Sequence, residues 1–271
     1  MNRTQTTPSF TRSWRVAAAA LAVSITAGCA SVPNPTPGDP LESYNRSMDT
    51  FNYKVDRALF RPVASAYEAL TPRPAQNCIR NIFNNMGDLW SAVNSFLQAR
   101  PHDFFNTLGR VLFNTTLGVG GCFDFATQNG AQRIANDFGT TLGVWGVPTG
   151  PYIVLPLIGP STGRDTLALS TFALNASEFS QVAPIMSINK VRVRNSLLGL
   201  YLVDMRANLL KADDLVDEVA LDRYSFIRDA YLQRRNAMVN QRLKHASGSS
   251  DANLPDYSDD YGDDELPNYE D

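Results

Sequence analysis

Histidine is scarce in this sequence, and the familiar redox and zinc-binding motifs are missing. The 271 residues include two histidines, His102 and His245, and three cysteines. There is no Cys-x-x-Cys or His-Glu-x-x-His pattern, which redox and zinc sites commonly show. We interpret "ARPHDFFN" as a helix start capped by Asp103 rather than as a catalytic dyad with His102. These absences argue against an enzyme and against a metal or other cofactor.

A strong basic excess is also lacking. The formal net charge is -3, and the last 21 residues carry nine acidic and no basic side chains. The remaining excess of positive charge is too small to indicate nucleic-acid binding, which needs a clustered basic face. The acidic tail, residues 246–271, has too few apolar side chains to pack and is predicted to be disordered.

Charge is missing altogether from residues 138–163, a run of 26 that we call the uncharged segment. It contains four prolines and six glycines, and Asp137 and Arg164 bracket it. Its length suggests a membrane span, but the prolines prevent an intact transmembrane helix. Irregular backbone at membrane depth is tolerated only inside protein or along a cavity. The segment is therefore predicted to lie in the core or to form the wall of a passage for apolar cargo.

The N-terminus has the parts of a bacterial lipoprotein signal. Three arginines precede an apolar run of 12 residues, 16–27, which is too short for a membrane helix. The run ends in "ITAGC", where small residues directly before Cys29 resemble a lipobox. We predict a signal peptide over 1–28, lipidation of Cys29, and a Pro-rich tether over 29–38. A plain signal peptide followed by a chance cysteine is the alternative. Ala30, in place of an aspartate, favours sorting to the outer membrane.

If Cys29 is lipidated, the two cysteines that remain are Cys78 and Cys122. An even number of cysteines in an oxidising compartment is compatible with a disulfide. A disulfide and two buried free thiols are both compatible with the sequence, because sequence does not show whether the two Cα atoms come within reach.

Apolar spacings of three and four residues predict an all-α domain over residues 39–245. A helix is expected from Asp39 and a break at Arg61-Pro62. Further helices are expected in two short pieces around Gly87, over 104–114, over 167–179, and over 189–242 with a break near Asp213-Asp214. Only "YIVL", within the uncharged segment, suggests a strand.

Five blocks of sequence resemble the MlaA/VacJ lipoproteins. They are "DPLESYNRSMDTFNYKVD", "RPVASAY", "RVLFNTTLGVGGCFDFA", "DFGTTLGVWGVPTGPYIVLPLIGPSTGRD" and "DRYSFIRDAYLQRR", in that order over about 200 residues. The resemblance implies one ring-like helical domain on the periplasmic face of the outer membrane. It implies a lipid-anchored protein that extracts mislocalised phospholipids from the outer leaflet through an amphipathic channel. A trimeric porin and a soluble periplasmic lipid carrier are the implied partners.

Under this resemblance, three sets of residues become candidates for the lipid path. Candidates for membrane-embedded or chain-facing positions are Trp145, Tyr152, Ile153, Val154, Leu155, Leu157 and Ile158. Candidates for polar positions in the channel are Asn45, Arg46, Asn52 and Asp124, for which helix capping and interhelix hydrogen bonds are the alternative. Candidates for hinges or close packing are Gly118, Gly120, Gly121, Gly139, Gly143 and Gly146.

Two other function classes stay open. A periplasmic lipid-modifying enzyme would need a nucleophile and a histidine, and the sequence has no motif that joins them. A passive, porin-associated structural lipoprotein would share the anchor and the apolar segment without transporting lipid.

Overall fold

The computed structural model describes residues 36–173 and 182–246 of the chain. The signal peptide, Cys29, most of the tether and the acidic tail lie outside these residues. The described part is helical apart from one two-stranded hairpin, which confirms the all-α prediction. The helices are α1 (Glu42–Val55), α2 (Arg61–Leu70), α3 (Arg73–Leu97), α4 (Pro101–Thr116), α5 (Phe125–Gln128), α6 (Phe138–Val144), α7 (Gly163–Ala173), α8 (Ala183–Met186), α9 (Val191–Val219) and α10 (Arg223–Ala246). The strands are β1 (Tyr152–Leu155) and β2 (Gly159–Thr162).

The expected break at Arg61-Pro62 is wrong, because a π-helical turn connects α1 to α2. This turn covers Asp56–Phe60, and the amide of Arg61 donates to the carbonyl of Asp56. Pro62 then falls in the first turn of α2, where its missing N–H and its ring are tolerated. The chain therefore stays helical from Glu42 to Leu70.

The two short helices expected around Gly87 are in fact one helix of 25 residues, α3. Gly87 is buried in its middle, and the hydroxyl of Ser91 donates to the Gly87 carbonyl at 3.2 Å. Packing against α4 outweighs the low helix propensity of a single glycine. The helix ends near Ala99, whose φ is 54°, and Pro101 opens α4. Helices α3 and α4 thus form an antiparallel hairpin.

The last two helices, α9 and α10, separate later than expected. Asp213 and Asp214 stay inside α9, where Arg206 and Arg61 pair with them at 2.6 and 2.5 Å. The break comes at residues 220–222 instead, and the Asp222 carboxylate accepts the amide of Tyr224 at 3.2 Å, as an N-cap residue does. Helix α7 begins at Gly163, before the predicted Leu167, and its expected end lies outside the described residues.

The "YIVL" strand is confirmed and forms a hairpin inside the uncharged segment. Strand β1 pairs antiparallel with β2, Tyr152 opposite Thr162 and Leu155 opposite Gly159. Leu157 in the connection has a φ of 61°, a left-handed conformation that is uncommon outside glycine. The uncharged segment is therefore a short helix, a hairpin and their connections.

The cysteines whose pairing the sequence leaves open are joined in the structure. A disulfide connects Cys78, in the first turns of α3, to Cys122, in the turn that follows α4. It closes a loop around the α3–α4 hairpin at the end opposite to Ala99.

Burial in this domain is inverted relative to an ordinary soluble protein. Of the twelve largest fully buried side chains among the described residues, two are apolar, Val154 and Ile185. The other ten are Asn45, Asp88, Ser91, Asn94, Thr107, Arg110, Asn136, Thr140, Thr141 and Thr162. The described residues include one cluster of buried apolar side chains, Tyr152, Val154 and Tyr224.

Large apolar side chains lie instead on the outside. On the α3–α4 hairpin the exposed ones are Leu89, Val93, Phe96, Leu97, Phe105, Leu112 and Phe113. Exposed apolar surface this extensive marks an interaction with protein or membrane. Within the described ranges, no helix combines the length and apolarity needed to cross a bilayer.

Gly118 should be intolerant of any side chain, because a Cβ there would lie on top of the carbonyl oxygens of Asn114 and Phe123. We expect Gly118→Ala to lower the free energy of unfolding by about 1–3 kcal/mol, since the backbone has to move. Gly109→Ala is the matched control, because a Cβ at Gly109 meets no atom within 4 Å. That change should be neutral or stabilising by up to about 1 kcal/mol. Denaturant unfolding of both variants is the measurement, and equal losses would contradict the prediction.

Candidate functional site

Two of the predicted lipid-facing residues point into the protein. Tyr152 and Val154 are 3% and 2% exposed and pack with Tyr224, whose ring centre lies 6.1 Å from that of Tyr152. Successive side chains of a strand point to opposite faces, so β1 puts these two in the apolar cluster. The prediction that they contact lipid is therefore wrong.

The exposed large apolar side chains of the uncharged segment lie at the tip of the hairpin and at the end of α6. Leu157 and Ile158 are 61% and 64% exposed. Trp145, at the end of α6, is also exposed, while its indole N–H donates to the carbonyl of Leu97 at 3.1 Å. Ile153 and Leu155 are partly buried. These five residues remain candidates for contact with lipid.

Two asparagines of α1 hydrogen-bond the backbone of the hairpin. Asn45 donates to the carbonyl of Tyr152 at 3.0 Å and accepts the amide of Val154 at 2.9 Å. Asn52, two helical turns later, donates to the carbonyl of Leu155 at 2.9 Å and accepts the amide of Leu157 at 2.7 Å. The two side-chain amides thus make hydrogen bonds that a third strand would otherwise make with the free edge of β1. Asn45 has no exposed surface, so its predicted place in a polar channel is wrong.

Arg46 is held by protein partners on three sides. It contacts Glu42 at 2.8 Å and Asp222 at 2.7 Å, and its guanidinium carbon lies 4.5 Å from the centre of the Tyr224 ring. The hydrogen bond and charge of Arg46 hold the pKa of Asp222 at about 2. These contacts connect α1 to the start of α10.

Asp124 is the N-cap of α5 and also part of a buried ion cluster. Its carboxylate accepts the amide of Thr127 at 3.1 Å and pairs with Arg110 at 3.0 Å. Arg110, which is 2% exposed, also contacts Asp88, and Arg133 reaches the same Asp88 at 2.7 Å. Burial raises the pKa of Asp88 in spite of its two arginines.

A neutral hydrogen-bond network lies beside this cluster, between α3 and α6. Thr141 donates to the side chain of Asn94 at 2.8 Å, and Gln98 donates to Thr141 and to Asn136 at 2.8 and 3.0 Å. Sequence reasoning missed the network and, apart from Asp124, the ion cluster, because the burial of these side chains depends on contacts between distant parts of the chain. A signal was present: on α3 the polar residues 88, 91, 94, 95 and 98 recur at helical spacing.

Two predicted glycines permit close packing of α6. A Cβ at Gly143 would come within 2.7 Å of Val239 and 2.8 Å of Arg164, and one at Gly139 would meet Asp165. Gly120, Gly121 and Gly146 have positive φ, as turns require. Hinge motion at any of them stays a prediction.

Helix α10 carries three buried arginines at intervals of seven residues, Arg228, Arg235 and Arg242. Arg228 reaches Asp39 at 3.4 Å, and Arg242 reaches Asp103 at 2.8 Å. Arg235 contacts Asp137 at 2.5 Å and Asp165 at 2.6 Å. Each arginine therefore joins α10 to a distant part of the chain.

The predicted capping role of Asp103 is wrong. Its carboxylate is buried and pairs with Arg100 at 2.5 Å and with Arg242, while the N-terminus of α4 has no side-chain cap. The neighbouring His102 side chain is 91% exposed. Over residues 36–173 and 182–246, no group of three potential metal ligands comes together.

The family model described as MlaA lipoprotein matches residues 37–238 of the chain. The chain belongs to the MlaA lipoprotein family. The match contains the uncharged segment, both asparagines of α1, and the ion pairs of Arg228 and Arg235.

Curated relatives and a solved structure agree with this assignment to the MlaA family. The intermembrane phospholipid transport system lipoprotein MlaA of Shigella flexneri is 35% identical over 232 residues, 83% of this chain and 89% of the relative. The protein of the same name in Escherichia coli (strain K12) is 34% identical over 235 residues, with the same two coverages. A structure described as the structural basis for maintenance of bacterial outer membrane lipid asymmetry matches with a TM-score of 0.62 and 35% identity. It covers 74% of this chain and 98% of its own.

Asp124 should make the stability of this MlaA-family domain depend on acidity. Burial pushes the pKa of Asp124 up, but hydrogen bonds from Thr127 and Asn114, together with Arg110, outweigh it and lower the pKa from 3.8 to about 2. A lowered folded-state pKa contributes stability above the unfolded value, and this contribution is lost as the pH falls towards 2.

We expect Asp124→Asn, which keeps the helix cap, to remove stability on the order of 1 kcal/mol at pH 6, partial exposure being allowed for. The difference from wild type should shrink between pH 4 and about 2. Unfolding curves across this range are the measurement. A constant difference at every pH would contradict the assignment.

Proposed function

We propose that the chain is an outer-membrane lipoprotein of an intermembrane phospholipid transport system. It takes mislocalised phospholipids from the outer leaflet and passes them towards the periplasm, which maintains the lipid asymmetry of the outer membrane. The observation that carries this proposal is membership of the MlaA family, with 34–35% identity over most of the chain to proteins named for that system.

The distribution of apolar surface supports a domain that sits in lipid. The exposed side chains of the α3–α4 hairpin, together with Leu157 and Ile158, offer hydrocarbon to a bilayer, while Arg110 and Asp88 of the same hairpin are paired inside. At membrane depth each backbone polar group needs a partner within the protein. Asn45 and Asn52 supply such partners to the edge of β1. The hairpin can therefore lie beside lipid although no helix in the described part of the chain is long and apolar enough to span a bilayer.

The path for the phospholipid headgroup needs polar surface. Arg46, Asn52 and Asp124 are partly exposed and stay candidates for it. The apolar face of the same path would come from Trp145, Leu157 and Ile158. In this mechanism the protein provides a route and breaks no bond, so it is not an enzyme.

Lipidation of Cys29 would hold the domain at the periplasmic face of the membrane. Each acyl methylene that enters the bilayer contributes about 0.8 kcal/mol. We propose a trimeric porin as the partner in the membrane and a soluble periplasmic carrier as the acceptor of the lipid. Both proposals rest on the resemblance to the family.

The proposed function is tested by complementation in a Gram-negative strain that lacks its own MlaA-family protein. We expect the wild-type gene to lower the amount of phospholipid in the outer leaflet and to restore resistance to detergent. Cys29→Ala should lose both effects and leave the outer-membrane fraction, because the anchor is gone.

The purified protein and the same strains distinguish transport from the two alternative functions. Hydrolysis products from labelled phospholipid incubated with the purified protein would indicate an enzyme. Normal detergent resistance without any change in outer-leaflet phospholipid would indicate a structural lipoprotein. Full activity of Cys29→Ala in the outer membrane would contradict the anchoring role.

A further inference from the structure

The two ends of the uncharged segment meet at one side chain of α10. Asp137 directly precedes the segment and Asp165 follows it after Arg164. The guanidinium of Arg235 contacts the two oxygens of Asp137 at 2.5 and 2.9 Å and one oxygen of Asp165 at 2.6 Å. The chain between these acids is therefore a loop closed by a single arginine.

Residues around Arg235 also support its contact with the two aspartates. Asp137 also caps α6 by accepting the amide of Thr140 at 2.8 Å, and Tyr231 donates to Asp165 at 2.8 Å. Gly139 lies against the pair, where a Cβ would fall on Asp165 and 2.6 Å from Arg235. A glycine at this position thus lets α6 approach the ion pair. A planar guanidinium suits such simultaneous contacts with two carboxylates, which a lysine ammonium does not reproduce.

The uncharged segment cannot form ion pairs of its own to hold its position in the domain. Between residues 138 and 163 its position depends on hydrogen bonds, on packing and on the charges at its two ends. The asparagines of α1 hold the hairpin edge, and Arg235 holds the starts of α6 and α7 together. The exposed side chains of Trp145, Leu157 and Ile158 lie between these supports.

We propose that Arg235 is a positioning residue for lipid passage, because it fixes the two ends of the uncharged segment and thereby places the exposed apolar side chains along the path. This inference rests on the proposed function. Arg235 does not itself contact the lipid; its effect is transmitted through Asp137 and Asp165.

A matched control lies seven residues further along the same helix. Arg242 is as buried as Arg235, and it also pairs with an aspartate, Asp103, but it does not join the two ends of the uncharged segment, because its other acceptor is the carbonyl of Ala135. Removing one partner of a buried pair is strongly destabilising in either case. The loss of folded protein can differ, because Arg235 pairs with two aspartates and Asp103 keeps Arg100. A purely structural role therefore predicts the same transport per folded molecule for Arg235→Gln and Arg242→Gln.

The experiment compares these two variants in the full-length protein, together with Arg235→Lys. Outer-leaflet phospholipid is measured in the complemented strain and normalised to the folded protein in the outer membrane. We expect a severalfold loss of transport per folded molecule for Arg235→Gln, a smaller loss for Arg235→Lys, and wild-type transport for Arg242→Gln. Equal specific transport in Arg235→Gln and Arg242→Gln overturns the proposal.

A second variant covers the case in which Arg235→Gln does not accumulate. Combining it with Asp137→Asn removes one of the two carboxylates, and Asp165 keeps Arg164 at 3.7 Å and the hydroxyl of Tyr231 at 2.8 Å. No buried carboxylate is then left without a partner, so the protein should fold without the Arg235 contacts. This double variant should also transport poorly. Wild-type transport by it overturns the proposal.

A structural readout separates this inference from the proposed function. Spin labels introduced as unnatural amino acids at Leu157 and at the exposed Lys211 report the position of the hairpin. The distance distribution should broaden in Arg235→Gln, or in the double variant, and stay narrow in Arg242→Gln. If wild type fails to complement but the distribution broadens, the proposed function falls and the positioning by Arg235 stands. An unchanged distribution overturns the positioning whatever the transport result.

Discussion

Buried pairing of arginine with aspartate is the interaction on which this domain depends. Three arginines of α10 tie this helix to the start of the domain, to both ends of the uncharged segment and to α4. Arg110 does the same between α4 and the turn before α5. Removing one partner of a fully buried pair leaves an uncompensated charge at a cost of about 3–5 kcal/mol. The loss of Asp124 costs less, because Asp124 is partly exposed and Arg110 keeps Asp88. The pairs therefore fix which helices meet, whereas the small apolar cluster around Tyr152 gives little of that specificity.

The polar interior of the domain accounts for its apolar surface. Because α3 faces both α4 and α6 through polar side chains, most large apolar residues of the α3–α4 hairpin lie on the other side. In water such a surface would be a liability, but in a bilayer it is the favourable arrangement. The uncharged segment fits the same logic: the aspartates that flank it pair with Arg235, and Asn45 and Asn52 hydrogen-bond its backbone along β1. The short hairpin can then expose Leu157 and Ile158 without leaving the edge of β1 unpaired.

The sequence predicted the class of the fold and the family well, but it predicted the site poorly. Helical spacing identified the helices, and "YIVL" identified β1, because these patterns are local. Gly87 and Pro62 were misread as breaks, since packing and a π-helical turn outweigh local propensity. Tyr152 and Asn45 were misassigned because their burial depends on contacts with residues far away in the chain. Arg235 was missed for the same reason: its two aspartates are 98 and 70 residues distant.

The central claim is that the apolar outside of the domain lies against lipid while the charged residues do not. Site-specific photo-crosslinking in intact cells tests it most directly, with the photoreactive residue placed at Phe96 or Leu157, and at Lys211 or Glu218 as exposed charged controls. The account predicts phospholipid adducts at the two apolar positions and none at the controls. Adducts of equal yield at all four positions, or an absence of phospholipid adducts at Phe96 and Leu157, would contradict it.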